Sequence, residues 1–71
     1  MATLVEAQVT GTVLTIEKRQ GEALAEGDVI IILESMKMEI PVEAPCAGTL
    51  AEIRVDEGES VEEGAILAVI E

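Results

Sequence analysis

The sequence predicts an all-β fold: a flattened β-barrel or sandwich of two four-stranded halves related by a pseudo-two-fold axis. Three observations lead there. Glycine and proline punctuate the chain at short intervals, at Gly11, Gly21, Gly27, Pro41, Pro45, Gly48, Gly58 and Gly64, which leaves room for short strands and not for ordinary helices. The segments between them are aliphatic and rich in β-branched residues, with no aromatic side chain at all. The chain also repeats itself. A shift of 37 positions lays residues 5–34 on residues 42–71, matching Val5-Glu6-Ala7 with Val42-Glu43-Ala44, Gly11-Thr12 with Gly48-Thr49, Gly21-Glu22 with Gly58-Glu59, Glu26-Gly27 with Glu63-Gly64 and Glu34 with Glu71. A unit too small to bury its own apolar face does so against its copy.

The predicted strands are, in order, 3–8, 12–17, 23–24, 29–34, 38–43, 49–55, 60–61 and 66–70. The first two stop where Gly11 and the polar stretch after Glu17 interrupt the apolar pattern, and the two-residue strand 23–24 sits between Gly21 and Gly27. Residues 17–28 contain good helix formers, but those two glycines, repeated at 58 and 64, favour loop and short strand. Val29-Ile30-Ile31-Ile32-Leu33 is a continuous apolar run of the kind covered on both faces, and Ile66-Leu67-Ala68-Val69-Ile70 is its mate. Glu26-Gly27-Asp28 and Glu63-Gly64-Ala65 read as tight turns where glycine permits positive φ. Between the repeats lie Ser35 to Pro41, free of glycine, so strands 29–34 and 38–43 are joined by a tight hairpin around Met36-Lys37. By the symmetry, 66–70 pairs with the first strand, and both chain ends lie opposite that hairpin.

Bulk properties narrow the function. Seventy-one residues with 49% apolar content make one domain, residues 1–71, with a small aliphatic core. A net charge of −11 argues against nucleic acid and anionic membrane as partners, because phosphate binding needs clustered lysine and arginine. It favours solubility and attraction to basic protein surfaces. A single cysteine forms no internal disulfide and fits a reducing, cytoplasmic setting. No stretch has the length and flanks of a signal peptide or membrane span.

Chemistry converges on Lys37, one of only four basic residues in a chain with no histidine. An exposed lysine amine is almost wholly protonated at neutral pH and is a poor nucleophile by itself. Intrinsic catalysis is therefore disfavoured, and a modification site fits better, since a modifying enzyme supplies both the base and the electrophile. Met36 and Met38 alternate with Lys37, and two readings stay open: one or both pack back onto the body as gap-fillers, or they form a soft apolar patch for a partner or cofactor.

Glu34-Ser35-Met36-Lys37-Met38-Glu39-Ile40 resembles the biotin attachment motif of the biotin carboxyl carrier (biotinyl/lipoyl) domains, whose signature stands here as Ser35-Met36-Lys37-Met38. The similarity extends through Val42 to Thr49 and through Gly58 to Gly64. It implies a barrel-sandwich hybrid fold with no catalytic residue and no metal. It also implies biotin as a covalent cofactor on Lys37, with Ser35, Met36 and Met38 beside it. The partners it implies are a biotin protein ligase that loads the lysine, a biotin carboxylase that carboxylates the biotin, and a carboxyltransferase that passes the carboxyl group to an acyl-CoA or a 2-oxo acid, with an acyl-CoA carboxylase the favoured setting. Glu34 and Glu39, placed symmetrically about the tip, are candidate ligase contacts by position alone. Gln8 stands where the family often has proline, and the gapless repeat leaves no insertion for a thumb over the biotin. With Met1 close to the first strand and no Ala/Pro-rich linker, the short, thumbless, stand-alone type is expected, with a domain of a larger subunit as the other option.

Two competitors remain. A lipoyl carrier shares the barrel and the lysine hairpin, but typically places aspartate before the lysine, where Met36 stands. An unmodified β-sandwich interaction module has no need of a lysine between methionines. Cys46, in Pro45-Cys46-Ala47 and without a histidine partner, reads as a small buried hydrophobe. Asp56-Glu57-Gly58-Glu59 and Glu62-Glu63 read as solvated turns, with no metal-ligand spacing.

Overall fold

A computed structural model describes residues 2–71; Met1 lies outside the described residues. The strands are β1 (Thr3–Glu6), β2 (Gly11–Ile16), β3 (Ala23–Leu24), β4 (Val29–Ser35), β5 (Met38–Glu43), β6 (Gly48–Ile53), β7 (Ser60–Val61) and β8 (Ile66–Ile70), and no helix forms among the described residues. β1 and β6 end two residues sooner than their apolar patterns predicted. Both carry a register shift, between Val5 and Glu6 and between Leu50 and Glu52, which twists the strand out of its ladder early.

Two four-stranded sheets face each other, in the orders β1-β8-β6-β3 and β5-β4-β2-β7. Each sheet takes two strands from each repeat, so the halves are interlocked by strand exchange and do not merely pack side by side. The registers repeat as well: Val5 pairs with Ala68 as Val42 pairs with Ile31, and Leu50 with Ile70 as Val13 with Leu33. The outer strands β1 and β5 do not pair, which makes the molecule a sandwich and not a closed barrel.

Bonds between the halves also come in mates. Gly21 N–H donates to the Leu50 carbonyl and Gly58 N–H to that of Val13, both at 2.7 Å. Ile16 N–H donates to Glu57 Oε2 at 3.0 Å, and Ile53 N–H to Gln20 Oε1 at 2.8 Å. Each loop thus uses a side chain to close an open amide on the other repeat, a satisfaction that backbone pairing alone leaves undone. Glu22 and Glu59 accept from the amides of Arg19 and Asp56 in their own loops, each at 3.0 Å. Glu59 is therefore a turn cap and not simply a solvated charge. The Arg19 amide holds the exposed Glu22 carboxyl below its ordinary value, and Lys18, 3.5 Å away, adds to the effect.

The core lies between the sheets and is wholly aliphatic. Val13, Ile30, Ile31, Leu33, Leu50, Leu67 and Ile70 are fully buried, and the described residues include no buried polar side chain. Consecutive burial at Ile30-Ile31 and from Leu67 to Ile70 matches the two continuous runs seen in the sequence. Cys46 packs against this core half-buried, its Sγ 3.7 Å from Thr3 Oγ1.

Both repeated Gly-Thr pairs mark close approaches. A Cβ on Gly11 would meet the Glu34 carbonyl oxygen at 2.5 Å, and one on Gly48 would meet that of Glu71 at 2.7 Å. At Gly11 the nearest obstacle is backbone and cannot yield by turning a rotamer; at Gly48 the Ile70 side chain crowds the same space beside the backbone. Gly11→Ala should destabilise the chain by about 1–3 kcal/mol, measured by urea unfolding; an unchanged midpoint would show that β4 can shift away from β2 freely.

Candidate functional site

β4 and β5 form one long hairpin whose last pairs are Glu34 with Glu39 and Ser35 with Met38, leaving Met36 and Lys37 as a two-residue turn. Two-residue hairpins match the strand twist when both turn residues have positive φ, a geometry that favours Asn-Gly. Met36 and Lys37 adopt it nonetheless, at φ 53° and 66°. Placing two side-chain-bearing residues in the left-handed region costs about 1–2 kcal/mol each. The long aliphatic hairpin behind them offsets that cost.

The tip is tied to the body at its base. Ser35 Oγ donates to the Thr10 carbonyl at 2.9 Å, and Thr10 Oγ1 accepts from the Glu63 amide at 3.2 Å. With Gly11 pressed against Glu34, this corner fixes where β4 ends. β8 starts close to the same corner, since Ala7 N–H meets the Ala65 carbonyl at 2.9 Å. It then runs away to Ile70, paired with Thr3, about 13 Å further on at ~3.3 Å per residue. The chain ends therefore meet away from the tip, as the symmetry predicted. Thr10 was not legible as a site residue; the repeated Gly-Thr that follows it was the available signal.

Lys37 is exposed, and no carboxylate of the described residues lies within ion-pair distance of it. Met36 is 93% exposed and Met38 62%, so neither packs back on the body and the gap-filling reading is corrected. The turn is too short to fold Met36 inward, and Met38 belongs to the last pair of an outer strand. Together they bracket the amine with bare thioether surface. Glu34 and Glu39 are both exposed and directly opposite each other. Counting pairs from the turn makes theirs a non-hydrogen-bonded one, in which side chains come closest, and like charges so placed destabilise a hairpin. The arrangement offers a rigidly placed amine, an apolar collar and a doubly negative flank. Among the described residues it includes no metal cluster.

A sequence profile of the family described as "Biotin-requiring enzyme" matches residues 1–70. The chain belongs to this biotin/lipoyl attachment family. It is a domain of the biotin carboxyl carrier type, a carrier and not a catalyst, and covalent biotin is the cofactor of that domain type. Among curated proteins it is similar to a homolog of biotinylated protein TB7.3 from Mycolicibacterium smegmatis, 48% identical over 42 residues, which are 59% of each chain. Biotinylated protein TB7.3 of Mycobacterium bovis matches to the same extent. The matched region thus spans about three fifths of these relatives' length. Among solved structures, urea carboxylase of Kluyveromyces lactis superposes with a TM-score of 0.94 at 34% identity, over 99% of this chain and 6% of that one. A single-chain, multi-domain long-chain acyl-CoA carboxylase superposes with a TM-score of 0.90 at 31% identity, over 96% of this chain and 7% of that one. The sandwich of this carrier domain is therefore shared with much larger chains.

The strain at the tip is measurable. Replacing Met36→Asn, which tolerates positive φ, should raise Tm by about 4–8 °C for each kcal/mol relieved in a chain of this size. A thermal melt showing no rise would mean that the Met-Lys turn carries no strain.

Proposed function

We propose that Lys37 is the biotin attachment site of a carrier for a biotin-dependent carboxylase. A biotin protein ligase activates biotin as biotinyl-AMP, and the Lys37 amine displaces AMP to form an amide, releasing a proton. The loaded arm then visits a biotin carboxylase, which adds a carboxyl group to biotin using ATP and bicarbonate. It next visits a carboxyltransferase, which passes the group to an acyl-CoA. The observation that carries this reading is the solitary, exposed amine at φ 66° on a two-residue tip, bracketed by exposed methionines. A residue held there reaches solvent in a defined direction, and a long flexible stem extends the cofactor from it. The carrier's contribution is a high local concentration of one cofactor at two active sites. The resemblance to acyl-CoA and urea carboxylases supports carboxylase partners, and the acyl-CoA branch is the one we favour. The lone Cys46 supports a reducing, cytoplasmic setting.

Glu34 and Glu39 are proposed as ligase contacts. A like-charge pair that weakens the hairpin it sits on is explained by a basic surface that docks against it.

Intact mass after co-expression with a biotin ligase and biotin tests the attachment. Wild type should gain one biotin, and Lys37→Arg, which keeps the charge but cannot accept the amide, should gain none. A lipoyl-sized gain would transfer the chain to the other branch of its family. For the acidic pair, Glu34→Lys and Glu39→Lys are made separately. Each should slow biotinylation roughly tenfold, as loss of a charged contact worth about 1.4 kcal/mol would, while leaving stability unchanged or improved. Unaltered rates would remove both residues from the ligase interface.

A further inference from the structure

The pairing that sets the tip also leaves one strand edge open elsewhere. β1 and β5 are outer strands of different sheets, and an open groove of about 410 Å³ runs between them. Leu4, Val5 and Glu6 form one wall, Ile40, Pro41, Val42 and Glu43 the other, with buried Leu33 beneath. Consecutive residues line each wall, although successive side chains point to opposite faces of a sheet. Each strand therefore presents its backbone edge to the groove.

The register fixes which backbone groups are free. Ser35 with Met38 is the hydrogen-bonded pair that closes the turn, and pair types alternate from there. Pro41 with Ile32 is then a non-hydrogen-bonded pair, in which the backbone nitrogen of residue 41 faces away from β4. The mate of that pair is Leu4 with Val69, so the N–H and C=O of Leu4 face away from β8. On β5 this position is a proline and offers no donor. On β1 it is a leucine, 50% exposed, with its amide free. One wall is blunted against strand addition and the other is not.

We propose that the β1 edge docks an extended segment of a partner protein, alternating aliphatic and basic residues, as an added strand. The aliphatic side chains would enter the groove over Val5, Leu33 and Val42, while main-chain bonds form to Leu4. The basic ones would meet Glu6 and Glu43 on the rim, neither of which forms an ion pair with Lys18, Arg19, Lys37 or Arg54 among the described residues. A second copy of the chain is the wrong occupant, because two bodies of charge −11 repel. A strand the length of β1 accommodates an occupant of about four to six residues.

The test is an NMR titration of the isotope-labelled chain with an acetylated, amidated hexapeptide alternating valine and lysine. Shifts should centre on Leu4 to Glu6, exchange of the Leu4 amide should slow, and affinity should fall with added salt. Leu4→Pro places on β1 the residue that β5 already carries at the matching position, so the fold should survive while affinity drops about tenfold through the lost main-chain bond. Leu4→Lys, a charged edge residue, should weaken binding as well, and so should Glu6→Lys with Glu43→Lys. The proposal is overturned if millimolar peptide leaves β1 unshifted, or if Leu4→Pro and Leu4→Lys bind as well as wild type, which would reveal diffuse attraction to an acidic surface. Equal binding of a valine–glutamate peptide, or of cyclohexanol in the same groove, would overturn it too.

Discussion

Neither repeat can complete a sheet by itself. β2 needs β7 from the other repeat beside it, β6 needs β3, and the hairpin partner of β4 comes from across the junction. This exchange forces every strong apolar run into a central or shared position, which is how a chain with no aromatic side chain assembles a core with no buried polar side chain among its described residues. It also accounts for the loops that bond across the divide: Gln20 and Glu57 act as reciprocal straps because each loop lies over the other repeat's strand. Small domains are marginal in stability, and here contacts distant in sequence supply most of the cohesion.

The tip inherits its rigidity from that arrangement. A Met-Lys turn with two positive φ angles would not persist in an isolated hairpin. It persists because the strand leading into it is clamped by Gly11 against Glu34, tied through Ser35 to Thr10, and zipped along its length to β5. The strained turn and the opposed carboxylates are both local losses that the body tolerates, and both sit within three residues of Lys37. Departures from local preference are thus concentrated around one amine in a sequence otherwise consistent at every level, which supports the attachment site proposed above.

Much of this was legible beforehand. The 37-residue repeat located all eight strands, because repeated glycines mark where the backbone must turn, and it placed Lys37 at the junction with the chain ends paired elsewhere. Two of the exchanged pairings, β4 with β5 and β1 with β8, were legible from the hairpin and the symmetry. Those of β2 with β7 and β6 with β3 were not, since a repeat reveals that two halves are alike and not which of their remaining strands pair. The fate of the methionines was also hidden, since methionine suits both interior gaps and exposed surfaces, and only the two-residue length of the turn decides between them. Thr10 acts through its carbonyl and hydroxyl toward Ser35 and Glu63, contacts that bring together residues from three separate segments. Leu4 and Pro41 stand one residue before the aligned repeats, and the meaning of their contrast depends on which amides face outward.

Because Thr3 pairs with Ile70, any polypeptide flanking this fold leaves from a single point. A hinge there would turn the body as a lever, its longest dimension being 32 Å. The arc swept by Lys37 would then be set mainly by the protein and only secondarily by the side chain it carries. Shortening that lever, more than trimming the lysine stem, would narrow the volume the amine can reach.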